Sequence, residues 1–323
     1  MPRTPLAIAI DIGGTSAKLA LVTSRGRLLF SRQIPTGRRM GVRQLMAQMI
    51  PIVQTLHRQA RQMGGDLRGI GVGVPGLVDV EQGTVRYLVN LPGWRQVPLR
   101  QMITRATRLP TIVDNDVKMM TWGEYRWGAG RGVQSLMCVM LGTGVGGGLV
   151  IHGRLYRGWT MSAGEIGHMP MGETGPRCPC GGRACLERYI GNRAVVALAR
   201  QRARAARRSL LWSLTDGDLR RLTPPLIDRA AYRGDAAARA VWHEVGERLG
   251  VALTTVANVL NPERIVIGGG LAKAGPLLFP TVRSTVRARA MRGPHAVQIV
   301  PARWGEQAGV IGAAAMVLVP EPH

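Results

Sequence analysis

Two stretches of this chain share one design. At 6–22 the sequence runs LAIAIDIGGTSAKLALV, and at 136–156 it runs LMCVMLGTGVGGGLVIHGRLY. Each is an apolar strand, a turn of glycine and threonine, and a second apolar strand, which is the pattern of a β-hairpin. The turn is GGT at 13–15 in the first and GTG at 142–144 in the second. Such an echo points to two related α/β halves.

The intervening segments fill in that scheme. A third strand is expected near 28–34 and a helix over 42–63. RGIGVGVPGLVD at 68–79 reads as a buried strand closing in a glycine–proline turn, and EQGTVRYLV at 81–89 as a hairpin. TIVDNDV (111–117) is another short strand, followed by a helix over 118–128. A largely helical stretch ends near Val256, ERIVIGGG (263–270) is a buried strand, and QAGVIGAAAMVL (307–318) is a closing helix. Strands alternating with helices imply an α/β architecture with helix-covered sheets.

At 323 residues the chain has room for two domains, and 46% hydrophobic residues suit a packed enzyme. The N-terminal apolar run meets Asp11 too soon for a secretory signal, and the apolar stretch 310–319 is too short to span a bilayer. A cytoplasmic location is therefore expected, and no membrane partner. In that reducing compartment, clustered cysteines read as metal ligands before disulfides. The net charge of +24 raises the question of a polyanion partner. Only Lys18, Lys118 and Lys273 are lysines, so the charge is nearly all arginine, and it is scattered. The densest cluster, ARQRARAARR (199–208), has no aromatic for base stacking. Arg200, Arg204 and Arg208 at i, i+4 spacing read as a solvated helix face, and nucleic acid is not an expected partner.

Three glycine-rich turns follow strands: Gly13, Gly14 and Thr15; Gly142, Thr143 and Gly144; and Gly268, Gly269 and Gly270. Glycine lets backbone N–H groups reach phosphate oxygens, and a threonine hydroxyl adds a donor. None matches GxxxxGK[ST] or a dinucleotide fingerprint. Together they suit a nucleoside triphosphate. Asp11, just before the first turn, is tolerable beside phosphates if a divalent cation lies between, and is assigned to Mg²⁺; turn capping is the alternative.

VDNDV (113–117) sets Asp114 and Asp116 either side of Asn115. Phosphoryl transfer to an alcohol needs a carboxylate to accept the hydroxyl proton. On a strand both acids share one face, so periodicity does not choose between them, and either is also a plausible helix cap. Glu165 and His168 of AGEIGH, with Glu187, supply the mixed donors and acceptors that a polyol requires.

With DIGGT, GVGVPG, NLPGW, LGTGVGGG, AGEIGH, CPCGGRACLE and NPERIVIGGG in this order, the chain from about residue 6 onward resembles the ROK family of repressors, uncharacterised reading frames and sugar kinases. It looks most like the bacterial ROK glucokinases. The resemblance implies an actin-like, ribonuclease-H-like fold of two α/β domains, the smaller formed by 1–117 with 305–323 and the larger by 118–304. It implies ATP-dependent phosphorylation of the glucose 6-hydroxyl, with Asp116 rather than Asp114 as general base. Sugar contacts fall on Gly76, Asn90, Asn115, Asp116, Glu165, His168 and Glu187. Metal ligands fall on His168, Cys178, Cys180 and Cys185. Three thiolates and an imidazole form a closed, structural zinc set, which holds the root of the loop that carries Glu165 and Glu187. A redox pair at Cys178 and Cys180 is disfavoured by their spacing, and Cys138 reads as a core residue.

Expected partners are glucose or a related hexose and ATP, with polyphosphate the alternative donor, and assembly as a homodimer or homotetramer. A sugar-responsive repressor is the rival class, disfavoured because DIGGT begins within eleven residues of Met1. Two departures stand out. Family members usually carry lysine directly after GGT, where this chain has Ser16, and Lys18 on the same strand face is the candidate substitute. Ala184 stands where glycine usually precedes the last cysteine, which is tolerable if its φ is negative.

Overall fold

The computed structural model describes residues 3–37, 40–88 and 93–322. In chain order the elements begin with strands β1 (Pro5–Ile12), β2 (Ser16–Thr23) and β3 (Leu28–Pro35), then helix α1 (Val42–Gln62) and β4 (Asp66–Val74). Strands β5 (Leu77–Asp79), β6 (Thr84–Tyr87) and β7 (Arg95–Val97) precede α2 (Leu99–Thr107), β8 (Thr111–Asn115) and α3 (Asp116–Trp127). Next come β9 (Leu136–Leu141), β10 (Val145–Ile151) and β11 (Arg154–Tyr156), then the helices α4 (Glu187–Ile190), α5 (Asn192–Ala205), α6 (Leu210–Ser213), α7 (Pro224–Tyr232) and α8 (Ala236–Leu260). The chain closes with β12 (Arg264–Gly268), α9 (Phe279–Arg289), β13 (Gln298–Pro301) and α10 (Ala308–Leu318).

The echo in the sequence is an echo in topology. One five-stranded sheet has the order β3-β2-β1-β4-β8 and the other β11-β10-β9-β12-β13, the same sequence of positions in both. In the first, β1, β4 and β8 run parallel while β2 is antiparallel to both its neighbours, β1 and β3; in the second, β9, β12 and β13 run parallel. A small antiparallel sheet, β5-β6-β7, stands apart.

Compactness divides the chain into Met1–Ser135 with Gly148–Ala163 and Arg303–His323, and Leu136–Gly147 with Gly164–Ala302. The sequence expectation put the boundary at 117 instead. The difference is α3, which packs along α10 in the first unit, together with the returning segment 148–163.

In the first unit, strand alternation sorts residues by size. Leu6, Ile8 and Ile10 of β1 join Leu45, Met49 and Val53 of α1 in one core. Ala7, Ala9 and Asp11 take the opposite face, the side that α10 covers. Small residues there let backbones nearly touch: a Cβ on Gly71 would overlap the Ala313 carbonyl, and one on Gly312 would overlap that of Met119. In the second unit β9 is buried along its whole length, as a strand covered on both faces must be. Cys138 is there, fully buried.

Two expectations change. The helix carrying the arginine cluster ends at Ala205, so Arg208 is not on its face, and Arg200 donates to the carbonyls of Leu219 and Arg220, both at 2.9 Å. Short elements α2, α9 and β13 were not anticipated. Among the described residues no helix is long and apolar enough to cross a membrane.

Glycine to alanine in an exposed helix is stabilising by about 1 kcal/mol. At Gly312 the sign reverses, because the added methyl meets backbone: Gly312→Ala should lower the unfolding free energy by about 3 kcal/mol in urea titration. A neutral or stabilising result refutes the close packing.

Candidate active site

In the first unit the two aspartates stand in different environments. The strand does not continue through VDNDV: β8 stops at Asn115 and α3 starts at Asp116, so Asp114 and Asp116 do not alternate on one strand. Asp114 is buried and clamped by Arg157, whose Nε and Nη2 donate to its Oδ2 at 3.0 and 2.9 Å. Arg157 also donates to Glu321, and the Leu155 N–H donates to Glu321 at 3.2 Å. Asp114 is thus committed to a structural ion pair. Neither acid caps the helix. The cap is Asn115, whose Oδ1 accepts from the Lys118 N–H at 3.2 Å while its Nδ2 donates to the Gly76 carbonyl at 3.1 Å. Asp116 occupies the first helical position, partly exposed, beside bare Gly73 of β4, whose Cβ position is 3.3 Å from the Asp116 Cα. Asn90 lies outside the described residues.

At the end of β1, Asp11 pairs in register with Lys18 on β2 and with Gly73 on β4. Its carboxylate fills the space a Cβ would take on Gly309, in the first turn of α10. Burial pushes its pKa from 3.8 up to about 6, against the opposing pull of Lys18. The Lys18 Nζ donates to the Glu306 carbonyl at 3.0 Å. The turn Gly13–Thr15 is pinned by Thr36, which the sequence reading missed: its hydroxyl donates to the Gly13 carbonyl at 2.7 Å and its N–H to that of Thr15 at 2.9 Å. Nothing local in the sequence marks Thr36, Arg157 or Glu321, since their partners are distant along the chain.

In the second unit, two of the three glycine turns are neighbours. β9 and β12 are adjacent, with Met140 opposite Gly268, and a Cβ on Gly269 would overlap Leu141. The AGEIGH segment leans on the same strand end: Gly167 abuts the Val145 carbonyl and Gly147 abuts that of Gly164. Glu165 therefore emerges, exposed, at a 3-10 turn over Ile166–His168. Glu187, first residue of α4, accepts the Val145 N–H at 2.9 Å through Oε2.

The thiol loop is a small knuckle. It is held by bridges between Pro170 and Cys185 and between Arg177 and Arg183, and by the Cys178 N–H donating to the Gly182 carbonyl at 2.9 Å. His168, Cys178, Cys180 and Cys185 bring four ligand atoms within 4.8 Å of one another. Cys178 Sγ is 3.7 Å from His168 Nδ1, and Cys180 Sγ is 3.7 Å from Cys185 Sγ. Zn–S bonds of about 2.3 Å at tetrahedral angles require S···S separations of about 3.8 Å, so the set fits a zinc ion. Burial and the neighbouring thiols push Cys185 up to about 12. Such crowded sulfurs ionise together only around a cation. With Nδ1 on the metal side, His168 keeps Nε2 for another contact. Ala184 differs from expectation: its φ is +52°, the left-handed region, where a side chain costs about 1 kcal/mol.

The chain belongs to the ROK family, whose model matches residues 7–319. It is 35% identical over 307 residues to a glucokinase of Halalkalibacterium halodurans, covering 94% of this chain and 92% of that protein. The structure of a ROK family glucokinase from Streptomyces griseus, in complex with glucose and AMPPNP, superposes with a TM-score of 0.83 at 32% identity, covering 97% of this chain and 99% of that one. A xylose repressor of Caldicellulosiruptor bescii is 28% identical, over 96% of this chain and 77% of the repressor. The fold is thus the actin-like ATPase fold of ROK sugar kinases, and these likenesses support a sugar kinase.

Two measurements test this geometry. Metal analysis of the purified protein should return one zinc per chain, and Cys185→Ser none; a metal-free wild type refutes the site. Asp11 titrates with a raised folded-state pKa, so its ionisation disfavours the folded state as pH rises from about 4 through 6. The gap is worth up to about 3 kcal/mol. Asp11→Asn should therefore stabilise the ligand-free protein at pH 7, with the gain vanishing below pH 4 in urea unfolding. An equal gain at both pH values refutes the assignment.

Proposed function

We propose that the protein is an ATP-dependent glucokinase that phosphorylates the 6-hydroxyl of D-glucose, with Asp116 as general base. The observation that carries the reading is the unequal fate of two neighbouring acids. Asp114 is neutralised by Arg157 and removed from solvent, whereas Asp116 stands partly exposed at a helix start after a parallel strand. Asp116, whose Oδ1 accepts the Val117 N–H at 2.8 Å, is the acid this reading assigns to take the hydroxyl proton. Asn115 is rigid because both ends of its amide are bonded to backbone, leaving one N–H for a sugar oxygen. Gly76, Asn90, Glu165, His168 and Glu187 are the further sugar contacts in this proposal, and zinc holds the His168 ring in one tautomer.

The amides of the Gly13–Thr15, Gly142–Gly144 and Gly268–Gly270 turns bind the nucleotide phosphates. Mg²⁺, held near Asp11, would neutralise charge on the transferred phosphoryl group. Support comes from the Streptomyces griseus glucokinase, whose structure contains glucose and AMPPNP. Other hexoses and a polyphosphate donor are the competitors within this reading. A sugar-responsive repressor is a second reading, favoured by the xylose-repressor match.

Asp116→Asn and Asp116→Ala should lower turnover by about 10³-fold while glucose binding by calorimetry persists. Near-normal turnover of either variant refutes the base assignment. A coupled assay across glucose, mannose, fructose and N-acetylhexosamines, with ATP and with polyphosphate, decides substrate and donor. Absence of any kinase activity, with sugar-dependent DNA binding, favours the repressor.

A further inference from the structure

The glycine turn Gly142–Gly144 and the thiol loop are joined by α4. At its start, two residues after Cys185, Glu187 Oε2 accepts the Val145 N–H at 2.9 Å. Past its end, the Asn192 N–H donates to the Gly142 carbonyl at 2.9 Å. Between these, Gly191 donates to the Glu187 carbonyl at 3.0 Å, and a Cβ on Gly191 would sit 3.2 Å from the Thr143 carbonyl. Gly144 has no room for a side chain because the Glu187 carboxylate fills that space. The turn is thus fastened at Val145 to the start of the short helix that emerges from the thiol loop, and at Gly142 to the first residue of α5, which follows that helix after Gly191. Glu187 is half-buried, so truncating it opens the Val145 N–H to water and to exchange.

We infer that Glu187 is a positioning residue for the nucleotide-binding turn, and that metal in the Cys₃His loop sets nucleotide affinity through it. The inference rests on the reading of Gly142–Gly144 as a phosphate turn. One carboxylate oxygen anchors the Val145 amide, and the other remains for a second contact. Ordering of the loop by a metal fixes Cys185, Cys185 fixes the start of α4, and α4 holds the turn in its phosphate-ready shape. A ligand that needs a pre-formed ring of amides binds more weakly when that ring must first be ordered.

The test uses the full-length, zinc-loaded protein with Glu187→Ala and Glu187→Gln. Glutamine keeps an acceptor oxygen for Val145 but loses the charge. Hydrogen exchange of the peptide spanning 142–148 and calorimetric binding of AMPPNP are both read, with exchange across β12 as the folding control. Glu187→Ala should lose protection at Val145 and weaken AMPPNP roughly tenfold, whereas Glu187→Gln should keep both within about threefold. Stripping zinc from the wild type should reproduce the alanine phenotype. Unchanged protection at Val145 in Glu187→Ala, or in the stripped protein, overturns the inference. Equal losses in the two variants also overturn it, since charge rather than the hydrogen bond would then be responsible. Lost protection with unchanged AMPPNP affinity overturns it in a distinct way, by removing the nucleotide from this turn.

Discussion

Three acids in this protein are seated against bare glycines. Asp11 fills the side-chain space of Gly309, and Glu187 fills that of Gly144. Glu124, buried at the end of α3, does the same at Gly128 and accepts the N–H groups of Arg303 and Trp304 at 2.9 and 3.0 Å. A carboxylate taken out of water needs donors close by, and backbone amides are the donors that need no further side chain. Reaching them requires bare backbone. At these three positions glycine serves close approach of acid to main chain.

That constraint explains what was legible in the sequence. The glycine turns and the thiol set could be read because their members lie within a few residues of one another. The doubled strand–turn–strand pattern could be read because strand alternation is local. Periodicity left Asp114 and Asp116 equivalent and only the family resemblance separated them; their different surroundings turn on where β8 gives way to α3 and on Arg157, more than forty positions along. Thr36 and Glu321 were invisible for the same reason. Helices α2 and α9 are short and arginine-laden, and their apolar stripes are too brief for a periodicity to emerge. Ala184 was misjudged because backbone sign at one residue is set by the knuckle that holds it, not by its neighbours in sequence.

The two halves share a strand order but differ in how they order their turns. In the first, Thr36 from the strand-following loop pins Gly13 and Thr15, while α10 presents its first turn to Asp11. In the second, Glu187 of α4 and Asn192 at the start of α5 do the pinning. A helix of only four residues has little stability of its own. Its order must come from what flanks it, and on one flank that is a loop closed by four metal ligands with few apolar side chains. A structural metal is a physical answer to that shortage of core: it can supply on the order of 10 kcal/mol where burial cannot.

The same economy of contacts gives some of the arginines a structural task. Several guanidinium groups donate to main-chain carbonyls, Arg239 and Arg283 while remaining solvent-exposed. Arg100 donates to the carbonyls of Glu81 and Val80, Arg200 to those of Leu219 and Arg220, Arg239 to Ala231 and Arg283 to Ile299. A planar fork can satisfy two carbonyls at once, which a lysine ammonium does less well. Carbonyls at helix ends and loop corners are the groups that lack partners in a fold with many short elements. These arginines, and the positive charge they carry, lie far apart along the chain. A polyanion footprint would instead concentrate it along one face with aromatic residues between, and 199–208 contains none.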